Sequence, residues 1–488
     1  MTWPHIRILI VLAVGLQSIK GADTNGETEQ TNSDSPVPPE RSLPEQKPLL
    51  LTPLIMNCSY DEAREKSQVE LFKKMGINAH SGYITVNETI NLFFVLVVGA
   101  KNYSSEPLLL WTQGGPGLSA LFGLFLENGP VAINESGNLS PRNNTLQKNM
   151  SVLYVDLPVG AGFSFTTNND SYAKSLDDIV FSVMEFLKQF LQLFGYYGRR
   201  PFYLGGESYG ARYSVAVANR MLSHPDDVSL SLKGVISGSG FLGPVLEIAE
   251  SSRFLYEMSM VDEAGRERFK QEFETMKLLA ANQSTALGAV LILGATIFTS
   301  SESPTLFQKL TLFNDHASPL FTERPGIMYA CVVVLNSTYM RQALHVGGVP
   351  FQFNNPLLLS NLGPDWLVDI NAMVEKVLNE LNMLSYIGQL DTLFPAVNQK
   401  AYFAKLNWTH ADTYRNTSHQ LWRKPDRYYG HDGYIKKVTH LTEAVLLGMS
   451  HYSSAEKPDE VYYLITEFVA NSSNPAKVGV MLENAKVQ

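Results

Sequence analysis

Cysteine is scarce: the 488 residues hold two, Cys58 and Cys331. A small disulfide-stapled scaffold is thereby excluded. In an oxidising compartment the simplest expectation is one disulfide closing a very long loop, the other reading being two free thiols. Charge is also sparse, at 17% of residues, and the net charge of -9 comes without long Lys/Arg runs, so nucleic acid is not expected as a partner. Long hydrophobic runs are missing too. The two longest, Ile8 to Leu16 and Thr285 to Thr299, fall short of the roughly 20 residues that span a bilayer, so no membrane span is expected. There is no internal repeat, and neither a metal nor a cofactor is expected.

What is present is a globular composition, 45% hydrophobic, on a chain long enough to bury a large core. Arg7, the apolar run behind it, and small residues at Gly21 and Ala22 read as a signal peptide over 1–22. Residues 23–47 are polar, Pro-containing and almost without aliphatics, hence a disordered linker or pro-segment. Thirteen N-x-S/T sequons, at Asn57, Asn87, Asn102, Asn134, Asn138, Asn143, Asn149, Asn169, Asn282, Asn336, Asn407, Asn416 and Asn471, are glycosylation candidates and mark surface loops. Together these predict a secretory-pathway protein, extracellular or lysosomal.

From residue 48 to 488 the pattern alternates strands and helices. "SGYITV" and "TINLFFVLVV" predict an antiparallel pair turning at Asn87-Glu88, while "PLLLWTQ", "MSVLYVDLP" and "PFYLGG" are short apolar runs of the buried parallel kind. Apolar residues at helical spacing follow Ser175, a candidate N-cap. Between about 245 and 345 strands give way to helical segments, an insertion over one end of the sheet. Strand-like "MLSYIG" and "TEAVLLG" follow, then a closing helix after Pro458. The fold class is α/β, with a mostly parallel central sheet flanked by helices.

Chemistry enters at Gly206-Glu207-Ser208-Tyr209-Gly210, a G-x-S-x-G segment between a buried strand and an amphipathic helix. A nucleophile at such a strained turn is exposed, with the helix N-terminus beside the developing charge. Upstream, Gln113-Gly114-Gly115-Pro116-Gly117 follows Trp111 and supplies glycines whose amides come close to a substrate oxygen. His451, in "LLGMSHYSS", has by itself the look of a packing residue.

"WTQGGPG", "ENGP", "VDLPVGAGFSF", "GGESYGARY" and "YIGQLD", in this order, resemble the serine carboxypeptidases of the α/β-hydrolase fold, and the Gln before the paired glycines resembles the vitellogenic-like branch most closely. The resemblance runs from about Leu49 to the C-terminus. It implies Ser208 as nucleophile, Asp391 as the orienting acid and His451 as general base. It further implies oxyanion donors at the Gly115 and Tyr209 amides, and a site for the substrate's terminal carboxylate at Gln113, Gly114, Glu207 and Glu127. Two carboxyls close together cannot both ionise cheaply, so one keeps a proton for that carboxylate, and activity is expected to favour acidic pH. The partners implied are peptide or protein C-termini, with homodimer formation left open.

The chain departs from the family in three places. Leu118 replaces a cysteine, so Cys331 is expected to pair with Cys58. Gly238-Ser239-Gly240 has Ser where Asn or Asp is usual. "GMSHYSSAEKP" replaces the usual histidine loop, so Met449, Ser450 and Tyr452 alter the pocket wall. Besides hydrolysis of C-terminal peptide bonds through an acyl-enzyme, a catalytically weakened binding protein or an acyltransferase on the same fold stays open.

Overall fold

The computed structural model describes residues 47–101, 105–300, 302–425 and 429–473. The expected signal peptide, nearly all of the linker, and Asn102 lie outside the described residues.

Apolar strands set the architecture. β1 (Ala79–Thr85) and β2 (Ile90–Val97) form the antiparallel pair, with Tyr83 opposite Phe93. The Asn87 side chain shapes the turn by accepting from the Thr89 and Ile90 amides at 3.0 and 2.8 Å. β3 (Leu108–Thr112), β4 (Ser151–Val155), the short β5 (Phe165–Thr166), β6 (Pro201–Glu207), β7 (Ser231–Gly238), β8 (Asn382–Gly388), β9 (Gln420–Trp422), β10 (Gly433–Val438) and β11 (Leu441–Leu446) complete one sheet. Its order is β1-β2-β4-β3-β6-β7-β8-β11-β10-β9, with β5 on β2. The six strands from β4 to β11 are parallel and both margins antiparallel.

The central strands are apolar on both sides because both faces are covered. Along β3, Leu108 and Leu110 join one core while Leu109 and Trp111 join the other, as a period of two requires. The first core packs under α1 (Leu176–Leu193) and α2 (Tyr209–Ser223). Ser175 caps α1 in a reciprocal box with Asp178. Among the described residues between 245 and 343 the regular structure is all helical, including α3 (Glu263–Ala280), α4 (Ala286–Ile297) and α5 (Gly326–Asn336). The closing α6 (Pro458–Ser473) covers the second core. The apolar stretch 285–299 is α4, with Val290, Leu293 and Ile297 buried, and no helix among the described residues is long and apolar enough to cross a membrane.

The cysteines correct one expectation: the disulfide between Cys58 and Cys331 is not formed, and both are free thiols. Cys58 sits exposed at a turn with φ +55°, whereas Cys331 lies on the buried face of α5, where burial pushes its thiol pKa up. Long sequence separation allowed a bridge, but Cys58 faces solvent while Cys331 is packed into the second core.

Asp156, just beyond β4, ties the loops at this end of the sheet. Its Oδ1 accepts from Ser119 Oγ (2.6 Å) and the Ala120 amide (2.8 Å), its Oδ2 from the Phe163 amide (2.8 Å). Burial nevertheless pushes its pKa up to about 7, against the pull of these donors. Asp156→Ala strands three buried donors and is expected to cost about 3 kcal/mol in urea unfolding, with Asp156→Asn losing roughly half as much. An alanine variant as stable as wild type would contradict this role.

Candidate active site

The parallel strands end on one edge of the sheet, and the segments leaving four of them converge there, as ligand sites of open α/β sheets do. β3 delivers Gln113 to Gly115, β6 delivers Glu207 and Ser208, β8 leads to Asp391, and β11 leads to His451.

Ser208 occupies the turn between β6 and α2 at φ +54°, ψ -121°, a conformation that few non-glycine residues adopt. Its amide donates to Gly238 O and its carbonyl accepts from the Phe241 amide, both at 2.9 Å, which holds the turn. The approach is very close: a Cβ on Gly114 would lie 2.7 Å from both Ser208 Cβ and Tyr209 N. Tyr209 opens α2, so its amide is one of the helix's orphan donors. Gly115, at φ +109°, turns the facing loop.

Asp391 is fully buried. Its Oδ1 accepts from the Leu393 and Phe394 amides at 2.9 and 2.8 Å, which aims Oδ2 at His451 Nδ1, 2.9 Å away. The His451 amide is held by Ala317 O and its ring packs edge-on against Phe394. Burial opposes the imidazolium, yet the charge and hydrogen bond of Asp391, helped by Glu207 and Asp315, hold the histidine pKa above its ordinary value. Ser208 and His451 line one cavity of about 310 Å³, together with Gln113, Gly114, Gly115, Glu127 and Glu207.

In that cavity Gln113 Nε2 donates to Glu127 Oε1 at 2.6 Å. Glu127 ends a π-helical turn, Gly123–Glu127, a wide turn that swings its carboxyl inward. Its Oε2 is buried without a donor, and the Glu207 carboxyl is close enough to act on it; two such acids can bond to one another only with a proton between them. Burial first, and then the charge of Glu207, push Glu127 well above the carboxylate range. Glu207 Oε1 accepts from Tyr386 Oη at 3.0 Å and from both the amide and the hydroxyl of Ser454.

The structure thus brings together Gln113, Gly114, Gly115, Glu127, Glu207, Ser208, Tyr209, Asp391 and His451, and leaves Cys58 and Cys331 apart from them. Met449 is buried and its carbonyl accepts from the Leu390 amide, Ser450 bonds Glu456, and Tyr452 lines the cavity. Sequence reading missed Tyr386, Ser454, His316 and Arg324, the last two also on the cavity wall. His316 is bound through Nδ1 to Thr299, and burial drives its pKa well below the usual value, keeping it neutral. "YIGQLD" flagged the neighbourhood of Tyr386 and "LLGMSHYSS" that of Ser454; nothing local marked His316 or Arg324.

A buried clamp fastens α2, the helix that begins just after Ser208. Arg212 Nε pairs with Asp365 Oδ2 at 3.3 Å, and its Nη2 donates to Asp365 O and Val368 O, while Tyr209 Oη donates to the same Oδ2 at 2.6 Å.

The serine carboxypeptidase family matches residues 70–471. The venom serine carboxypeptidase of Apis mellifera is 30% identical over 431 residues, 87% of this chain and 91% of that protein. The probable serine carboxypeptidase CPVL of Homo sapiens is 30% identical over 432 residues, 87% and 90% of the two chains. The vitellogenic carboxypeptidase of Aedes aegypti is 28% identical over 436 residues, 88% and 91%. Among solved structures, Kex1ΔP, a prohormone-processing carboxypeptidase of Saccharomyces cerevisiae, shares the fold with TM-score 0.69 at 20% identity, covering 81% of this chain and 91% of that one.

The contact at Gly114 is testable. Gly114→Ala forces its methyl against Ser208 and Tyr209, and is expected to lower stability by about 2 kcal/mol in denaturant unfolding. Fluorophosphonate labelling of Ser208 should fall with it; an alanine variant with wild-type stability and labelling would contradict the close approach.

Proposed function

Because this chain belongs to the serine carboxypeptidase family, we propose that it removes C-terminal residues from peptides through Ser208, His451 and Asp391. The observation that carries this reading is the His451–Asp391 hydrogen bond at 2.9 Å, in the cavity that also holds Ser208 and the paired acids Glu127 and Glu207.

In this mechanism Ser208 Oγ attacks the last peptide carbonyl as its proton passes to His451 Nε2, while Asp391 fixes the tautomer and faces the imidazolium. The Gly115 and Tyr209 amides donate to the oxyanion. Collapse breaks the C–N bond, His451 returns the proton to the leaving amine, and the terminal amino acid departs. Water then attacks the acyl-enzyme with the same base and frees Ser208. Gln113, Gly114 and the Glu127–Glu207 pair hold the terminal carboxylate, the shared proton serving as a donor to it. That carboxylate selects a chain end over an internal bond.

Residues 48–488 are read as one hydrolase domain whose helical insertion stands over the site. Secretion, with the signal peptide over 1–22 and a tail over 23–47, is supported by the sequons: none of the twelve described sequon asparagines is buried. An extracellular or lysosomal location follows from that reading.

Two outcomes are expected. With a fluorophosphonate probe at about pH 5, wild type labels and Ser208→Ala does not, and release of the terminal residue from blocked dipeptides falls by about 10⁴-fold in the variant. Labelling that persists in Ser208→Ala would remove Ser208 as nucleophile, and labelling without release would favour a binding protein or an acyltransferase. The second concerns pH. His451 must be neutral to act, which gives the acid limb of kcat/KM, and its raised pKa moves that limb upward. Glu127 must be protonated to bind the carboxylate; its pKa is raised further, so binding is favoured at acidic pH and is lost as pH rises through that ionisation. The peptide profile is therefore bell-shaped, and Glu127→Gln removes the alkaline limb. A wild-type kcat/KM that climbs steadily from about pH 5 to 8 would refute the paired-acid account.

A further inference from the structure

One cation in the cavity has no work in the scheme above. Arg324 is 8% exposed, and its Nε and Nη2 have no hydrogen-bond partner. These two nitrogens form one edge of the guanidinium, the edge that receives a carboxylate side-on. Arg220 in the same chain uses that edge on Asp227, at 3.1 and 2.6 Å.

The acids near Arg324 do not occupy its edge. Asp315 is close enough for its charge to be felt, but its Oδ1 accepts the Ala317 amide and its Oδ2 has no partner. Burial moreover raises the Asp315 pKa despite the arginine. Glu456 is engaged by the amide and hydroxyl of Ser450. The guanidinium lies over the Tyr452 ring, 5.9 Å from its centre. A buried guanidinium with an idle donor edge on a cavity wall is complete only when something in the cavity supplies oxygens.

The position of Arg324 identifies which part of a substrate that is. Tyr452 directly follows His451, and Tyr452, Ala455 and Glu456 line the cavity beside Arg324. Ser454, in the same turn, holds Glu207 of the carboxylate-binding group. The wall carrying Arg324 is therefore the one beside the carboxylate-binding group, where the side chain of the departing terminal residue lies. The cavity is otherwise rich in apolar side chains, Leu118, Phe122, Ile327 and Met328 among them.

We propose that Arg324 is a specificity-determining residue that pairs with the side-chain carboxylate of a C-terminal glutamate or aspartate. This rests on the carboxypeptidase reading, and the apolar wall receives the methylenes of the glutamate.

The test is the ratio of kcat/KM for blocked dipeptides ending in Glu and in Gln, measured at about pH 6, where the glutamate side chain is ionised. A ratio is independent of how much of a preparation is folded. Wild type is expected to favour Glu by at least about tenfold, Arg324→Met to bring the ratio near one, Arg324→Lys to keep part of it, and Arg324→Glu to favour terminal Lys. A wild-type ratio near one overturns the proposal. So does an Arg324→Met variant that loses activity on both peptides equally, since Arg324 would then serve the main-chain carboxylate or the fold. Should no dipeptide be cleaved, the carboxypeptidase reading fails separately, and calorimetric binding of the same two peptides to Ser208→Ala decides the arginine: equal affinities overturn it, tighter binding of the Glu peptide supports it.

Discussion

Ser208 is held at φ +54°, and the rest of the site is arranged around that turn. Such a conformation costs about 1–3 kcal/mol and persists only where its surroundings over-determine it. Here the surroundings are specific: β7 and the loop after it bind the serine amide and carbonyl, and Gly114 leaves room where a methyl would collide. The strand order β3-β6-β7 is what brings those two neighbours to either side of Ser208. Arg212, buried against Asp365, then fixes the first turn of α2, so the turn cannot relax by tilting the helix.

The second theme is burial of charge. Glu127, Glu207 and His451 line a cavity whose walls are otherwise largely apolar, and all three, like Asp391 behind His451, are less than a tenth exposed. In such a medium ionisable groups are governed by their neighbours more than by water. The same burial therefore has opposite results at two places. It leaves the Glu127–Glu207 pair short of protons to share unless one is retained, while Asp391, fed by two backbone amides, has an oxygen free to support a cation on His451.

Legibility in the sequence followed the range of the interactions. Strands β3, β4 and β6 were readable because apolar residues on both faces mean burial on both faces, and α1 because Ser175 and Asp178 cap it locally. The edge strand β9 was not, since its three mostly exposed residues carry no strand signature of their own. Family motifs pointed at the residues that gather around Ser208 and at the neighbourhoods of Tyr386 and Ser454, but the bonds these two make to Glu207 arise only through folding, and the local sequence of Arg324 says nothing of its place on the cavity wall. The cysteines show the converse: the length of the intervening chain permitted a bridge, but Cys58 stays at the surface while Cys331 is buried in the core, and no bond forms.

The order of the strands has a further consequence in time. β11 is the last strand of the sheet in the chain, and it is inserted beside β8, well inside the sheet, where it carries His451 and the Ser454 turn to residues laid down long before. Contacts of such long sequence separation form late. A nascent chain lacking its final segment would hold the serine turn without His451 or the Ser454 donors of Glu207, so the cavity around Ser208 is complete only when the last strand of the sheet is in place.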